Sequence, residues 1–269
     1  SDLILTKKKS LNEALVYLSK ALQIRLNRLG ENSLLTAEAY DAVGMLYCTH
    51  EKYNEALEQI KKAFQIRLNI LGERHADISI SNFNMARVLQ LQGQYKEALQ
   101  LFKQYLGVKL PLVGKNHLQV ADCYLHKSEI YKLLGNYRKA IYNAQYALKI
   151  KQTKLGKRHL EVANILLHRG NIYHFIKRYE NMLADYNEAL EIRLRAYGEN
   201  HAEVAYVYNN IGNCYRRIDK MEEALAYYNK SLSILQKYFT EKDDCIKEVN
   251  SNIKSLTIPS GQKYALYFF

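Results

Sequence analysis

The stretch Tyr197–Arg217, YGENHAEVAYVYNNIGNCYRR, decides the fold because its pattern recurs along the chain. Gly198 has counterparts at Gly156, Gly114, Gly72 and Gly30, each 42 residues from the next. Three residues after them stand His201, His159, His117 and His75, with Ser33 in the first copy. Fourteen residues after each glycine comes a small residue: Gly44, Ala86, Ser128, Gly170 and Gly212. At 23 residues the series reads Tyr53, Tyr95, Tyr137, Tyr179 and Met221. Five copies in fixed register are the mark of a repeat architecture.

Each period holds two amphipathic helical segments. In the last copy helix A is expected over about Ala202–Arg217 and helix B over about Met221–Tyr238, joined by the tight connection IDK. The small residue of helix A and the alanines Ala56, Ala98, Ala140 and Ala224 of helix B allow close approach of the pair. One pair alone cannot bury its apolar face. The pairs must stack into an all-α solenoid of antiparallel helix pairs with one continuous core.

Composition agrees with that expectation. Of 269 residues only two are Pro and twelve are Gly, both of which disfavour helix interiors. There is no Trp but there are 23 Tyr, most of them at recurrent repeat positions that packing explains. The net charge of +12 favours acidic partners: nucleic acid, anionic lipid or acidic peptide. Cys48, Cys123, Cys214 and Cys245 show no paired spacing, which points to a reduced, cytoplasmic setting, and no apolar run reaches the length of a membrane span.

The segments LGERHADIS, FNMARVL and GQYKEAL, and YGENHAEVA, NNIGNCY and MEEAL, resemble the tetratricopeptide repeat (TPR) in the 42-residue form of kinesin light chains. The resemblance covers about residues 11–240. It departs from the family in lacking a proline after every loop histidine. The paired asparagines survive only at Asn209-Asn210, with Asn84 alone in copy two, while His126-Lys127 and His168-Arg169 replace them in copies three and four. Lys127 and Arg169 are expected to pack their stems between helices with their heads at the rim; a basic spot at the array's centre is the alternative. Tyr105, Gly107 and Pro111 make helix B of copy two irregular, read as a local adjustment rather than a hinge.

The expected organisation is an N-terminal extension (1–10), a TPR-like array (11–240), a capping helix (241–256) and an apolar tail (257–269). The first helix, about Leu11–Arg28, reads as a helix B without its helix A. An upstream repeat or a cap made by Ser1–Lys9 would complete it. The tail is expected to pack on the last helix pair, with an intermolecular role as the alternative.

The resemblance implies a right-handed superhelical solenoid in which helices A line a concave surface that takes extended peptides. Asn209, Asn210, Asn213, Arg216, Arg217 and Tyr206 fall within roughly 120° of one helix circumference. The matching positions elsewhere add Asn84 and Arg87 in copy two, Lys132 in copy three, and His168, Asn171 and His174 in copy four. Asparagine both donates to and accepts from a peptide backbone, and Arg takes carboxylates in charge-assisted bonds. The N-terminal end of this face is acidic and partly apolar, the C-terminal half rich in amides, imidazoles and guanidiniums. These twelve residues therefore point to a partner segment that is acidic with an apolar or aromatic anchor. Single-stranded RNA, held by the positive charge, is the weaker alternative. No nucleophile motif, phosphate loop or metal-ligand spacing appears, so neither catalysis nor a cofactor or metal is expected. The loop histidines, one per layer, are expected to steady the turns between repeats.

Overall fold

In the computed structural model, residues 2–72 and 75–256 are described, side chains 2–12 aside. Among them there are twelve α-helices and no strand. The chain divides into two compact units, residues 1–134 and 135–269. The first holds α1 (Asp2–Leu29), α2 (Leu34–Thr49), α3 (Tyr53–Leu71), α4 (Ile78–Leu91), α5 (Tyr95–Val113) and α6 (Leu118–Leu133). The second holds α7 (Tyr137–Leu155), α8 (Leu160–Phe175), α9 (Tyr179–Tyr197), α10 (Ala202–Arg217), α11 (Met221–Leu235) and α12 (Asp244–Leu256). The even-numbered helices α2 to α10 are the helices A of the five copies.

The repeat register maps onto the elements. Every helix B from α3 to α11 starts on the residue 23 after the repeat glycine. Helices α3, α5, α7 and α9 stop at the next such glycine: Gly72, Gly114, Gly156 and Gly198 have φ of +74° to +91°, a region an L side chain resists. The loop histidines then open the next helix. Nδ1 of His117, His159 and His201 accepts the backbone N–H two residues on, at 3.1 to 3.2 Å, which occupies one orphan donor of the first turn. Each of these three is the N-cap, the steadying role expected from sequence.

A second class of glycine is required by space. A Cβ on Gly170 would sit 2.5 Å from the Tyr186 ring, and one on Gly212 2.6 Å from the Tyr228 ring. Both rings are buried, and their hydroxyls donate to Asn171 Oδ1 at 2.6 Å and Asn213 Oδ1 at 2.8 Å. Glycine on helix A and tyrosine on helix B thus form one complementary pair, locked by an asparagine. In unit two, Ala205, Ala224, Tyr228, Leu235, Ile246 and Val249 continue the core from α10 and α11 into α12.

Two expectations are adjusted. Helix α1 begins at Asp2, so residues 2–10 continue the first helix instead of forming a separate extension. Helix α5 runs unbroken through Pro111, in keeping with a local adjustment rather than a hinge. The Arg169 head does not reach the rim but binds Asp185 through two hydrogen bonds of 2.8 and 2.6 Å, whereas the Lys127 ammonium lies 5.1 Å from the Tyr124 ring centre. The apolar tail, 257–269, lies outside the described residues.

Candidate functional site

Helices α8 and α10 of unit two carry the same pattern of exposure, because their repeat positions turn the same way. Asn164, His168, Asn171 and Phe175 follow one line along α8 at four- and three-residue steps. Tyr206, Asn210, Asn213 and Arg217 follow the equivalent line along α10. Asn164, Asn171, Phe175, Tyr206 and Arg217 are exposed; the other three are half-buried. Asn171 and Asn213 give an oxygen to the buried tyrosines, which leaves their Nδ2 donors for a ligand.

Asn209 and Arg216 stand one position before Asn210 and Arg217, about 100° around the helix, and face α12. Asn209 is only 5% exposed: its Nδ2 donates to Glu248 Oε1 and its Oδ1 accepts from Asn252 Nδ2, both at 3.0 Å. Arg216 Nη1 donates to Ser255 Oγ at 3.0 Å. The expected outward placement of these two is therefore corrected. Helix α12 packs on α10 and α11 as a further helix A would and occupies polar groups of α10. His174 lies edge-on to Phe175, and burial, reinforced by Arg217 and Arg216, pulls its imidazole below the ordinary value. His168 is half-buried and already engaged.

The other three expected residues lie in unit one. Asn84 borders a cavity of about 380 Å³ with Glu38, Asp41, Arg67 and Asp77. Arg87 is half-buried, and its charge is felt by both Cys48 and His126. Lys132 is paired with Glu129 at 2.7 Å on its own helix. The twelve residues are thus divided between the units: three in the first and nine in the second.

A functional series escaped the sequence reading. Arg25, Arg67, Lys109, Lys151 and Arg193 recur every 42 residues near the ends of α1, α3, α5, α7 and α9. Arg67 joins Asp41 on α2, at 2.6 Å, to Ser81 on α4, also at 2.6 Å. Arg193 joins Asn164 on α8, at 3.1 Å, to the Glu203 carboxylate on α10, at 2.8 Å. Lys151 pairs with Glu161. Arg67 and Arg193 thus tie one helix A to the next, and the 42-residue period alone was sufficient signal to find the series.

Among the described residues no group of three or more His, Cys, Asp or Glu side chains is placed to hold a metal, and no helix is long and apolar enough to cross a membrane. The four cysteines are free thiols, and burial pushes Cys123 up to about 12.

No curated protein matches the chain. Among solved structures it is similar to BtubC (BKLC) from P. vanneervenii, at 16% identity and a TM-score of 0.72, over 87% of this chain and 94% of that one. It is also similar to a Podosopora anserina putative kinesin light chain with nearly identical TPR-like repeats: 16% identity, TM-score 0.66, 74% of this chain and 95% of that one. YrrB, a TPR protein with an unusual peptide-binding site, superposes at a TM-score of 0.51 with 15% identity, over 86% of this chain and 98% of that one. At such identities the likeness is one of fold. The sequence model for the tetratricopeptide repeat matches residues 3–69, 51–110 and 161–237, most of the chain, and with five 42-residue helix pairs in register the chain belongs to the tetratricopeptide repeat family.

Proposed function

We propose that this chain is a non-catalytic protein-interaction scaffold that captures an extended, acidic partner segment with an apolar or aromatic anchor across its helix-A faces. The observation that carries the reading is the pair of exposed lines on α8 and α10. Together they offer amide donors at Asn164, Asn171, Asn210 and Asn213, aromatic surface at Phe175 and Tyr206, and a guanidinium at Arg217. The oxygens of Asn164, Asn171 and Asn213 hold neighbouring helices, and their amide N–H groups lie beside exposed rings. A peptide backbone with an anchoring side chain uses both, since amides pair with its N–H and C=O groups while the rings bury the anchor. That TPR proteins generally act as interaction scaffolds, and that YrrB is described by its peptide-binding site, supports the class.

Fluorescence anisotropy tests the reading with two labelled probes, an acidic peptide bearing one aromatic residue and a single-stranded RNA, at low and moderate salt. The variant is Asn210→Ala/Arg217→Ala, chosen because Asn209 and Arg216 hold α12 and their loss would mix docking of α12 with ligand binding. Peptide binding that survives moderate salt and weakens at least tenfold in the variant supports the reading. RNA binding with a steep salt slope, indifferent to the variant, transfers the function to the basic surface.

A further inference from the structure

Among the described residues, the cation series of the helix-B ends contains one member without an acceptor. Arg193 has Asn164 on the helix A before it and Glu203 on the helix A after it. The positions equivalent to these acceptors around Lys109 are Ile80 and Gln119, an aliphatic and a neutral amide. Lys109 is nevertheless only 8% exposed. Among the described residues no hydrogen bond or ion pair holds its ammonium, which lies 5.9 Å from the Tyr105 ring centre. Its ammonium borders a cavity, and an anion placed there gains a charge-assisted contact.

The space for such an anion is present. A cavity of about 190 Å³ between α4, α5 and α6 is lined by Ile80, Phe83, Tyr105, Lys109, Gln119 and Asp122. Its walls are apolar on the α4 and α5 sides, where Phe83 lies 4.9 Å from Tyr105, centre to centre. Asp122, the carboxylate in this lining, has an interaction of its own. Ile80 and Asp122 also occupy the same repeat position as Asn164 and Tyr206 of the exposed lines, so the cavity opens on the helix-A side of unit one.

We propose that this cavity is a carboxylate subsite: it takes the acidic side chain of a partner segment, the carboxylate against the Lys109 ammonium and the neighbouring apolar group against Phe83 and Tyr105. The ligand supplies the acid that Glu161 and Glu203 supply to the equivalent cations in unit two. The subsite deepens the peptide-capture reading, on which the identity of its occupant rests, and assigns the acidic preference to one residue.

The test uses the whole chain in ¹H–¹⁵N spectra, titrated with three peptides. The first is acetyl-Ala-Phe-Glu-Ala-amide, the second has Gln in place of Glu, and the third is the Gln peptide with a free C-terminal carboxylate. Two variants are compared, Lys109→Met and Gln119→Glu. The second keeps the fold safe, because it installs the acid that two sister copies already carry. Saturable shifts at Ile80, Phe83 and Tyr105 are expected with the Glu peptide alone, weakened at least tenfold in both variants. Equal shifts from the Gln peptide, unchanged affinity in Gln119→Glu, or no saturable response at these amides overturns the subsite. A response from the free C-terminus alone overturns the side-chain assignment. If the anisotropy peptide still binds through Asn210 and Arg217 while this titration fails, the subsite falls and the capture reading stands; the reverse pattern removes only the capture reading.

Discussion

Replacing Gly212 and Gly107 by alanine should move stability in opposite directions, although both are helical glycines exchanged for the best helix former. Propensity alone favours each substitution by about 1 kcal/mol. At Gly107 nothing lies within 4 Å of the added methyl and the residue is exposed, so that gain should appear nearly whole, about 0.5–1 kcal/mol. At Gly212 the methyl would stand 2.6 Å from two atoms of the Tyr228 ring and 3.2 Å from the Ala224 carbonyl oxygen. That ring is 0% exposed and its hydroxyl is tied to Asn213 at 2.8 Å, so it has nowhere to swing without leaving the hydrogen bond. Overpacking costs about 1–3 kcal/mol and a lost hydrogen bond about 1 more. Set against the propensity gain, Gly212→Ala should destabilise unit two by about 1–3 kcal/mol. Repeat arrays often unfold in stages, so the assay is urea unfolding read by hydrogen exchange at α10 and α11 for Gly212→Ala, and at α5 for Gly107→Ala. A shift of the same sign in both variants would refute the close-packing argument for this class of glycine.

Other consequences are as specific. Lys177 has φ +57° at a repeat position where two sister copies carry Gly93 and Gly135, so Lys177→Gly should stabilise by about 1 kcal/mol, checked by the unfolding midpoint of unit two. Burial, then the Arg87 charge, pulls His126 down to about 4 from its ordinary 6.5, while the unfolded chain keeps the ordinary value. The unfolded state therefore takes up the proton first as pH falls. The contribution is complete above pH 6.5, is lost toward 4, and amounts to about 1.5 kcal/mol between pH 6.5 and 5. Urea titrations across that range should show this slope and its absence in His126→Leu. Removing one partner of the buried Arg169–Asp185 pair, as in Asp185→Ala, should cost about 3–5 kcal/mol, whereas the double change Arg169→Met/Asp185→Leu should cost much less. Comparing the two by thermal unfolding separates the pair's net worth from the cost of an orphaned charge.

The fold was legible because a period of 42 residues fixes where every helix starts and stops. Helix A of the last copy was expected over Ala202–Arg217, where α10 lies, and helix B was expected to end at Tyr238, three residues beyond the end of α11 at Leu235. Faces were harder to read. Circumference alone grouped Asn209 with Asn210, yet one position of helical rotation places the first against Glu248 and Asn252 and the second on the exposed line. Which side of a polar stripe meets water depends on the next helix, and nothing local to α10 states how α12 docks. Asn171 and Asn213 were read as ligand groups, but their oxygens hold the tyrosine hydroxyls of the following helix. The cation series was overlooked although its period was visible, because the pattern alone does not say which basic residues of helices B are buried. Only burial distinguishes Arg67, at 4% exposure, from a solvated lysine.

The central claim is that a partner segment lies on the helix-A side of the pairs, and photocrosslinking reads that side directly. A benzophenone amino acid is placed at Phe175, 53% exposed on α8, or at Tyr142, 64% exposed on the helix-B element α7. Each protein is irradiated with the labelled acidic, aromatic-bearing peptide. The account predicts a crosslink from position 175, competed by unlabelled peptide, and none from position 142. A competed crosslink from 142 alone would contradict it and place any partner on the opposite face.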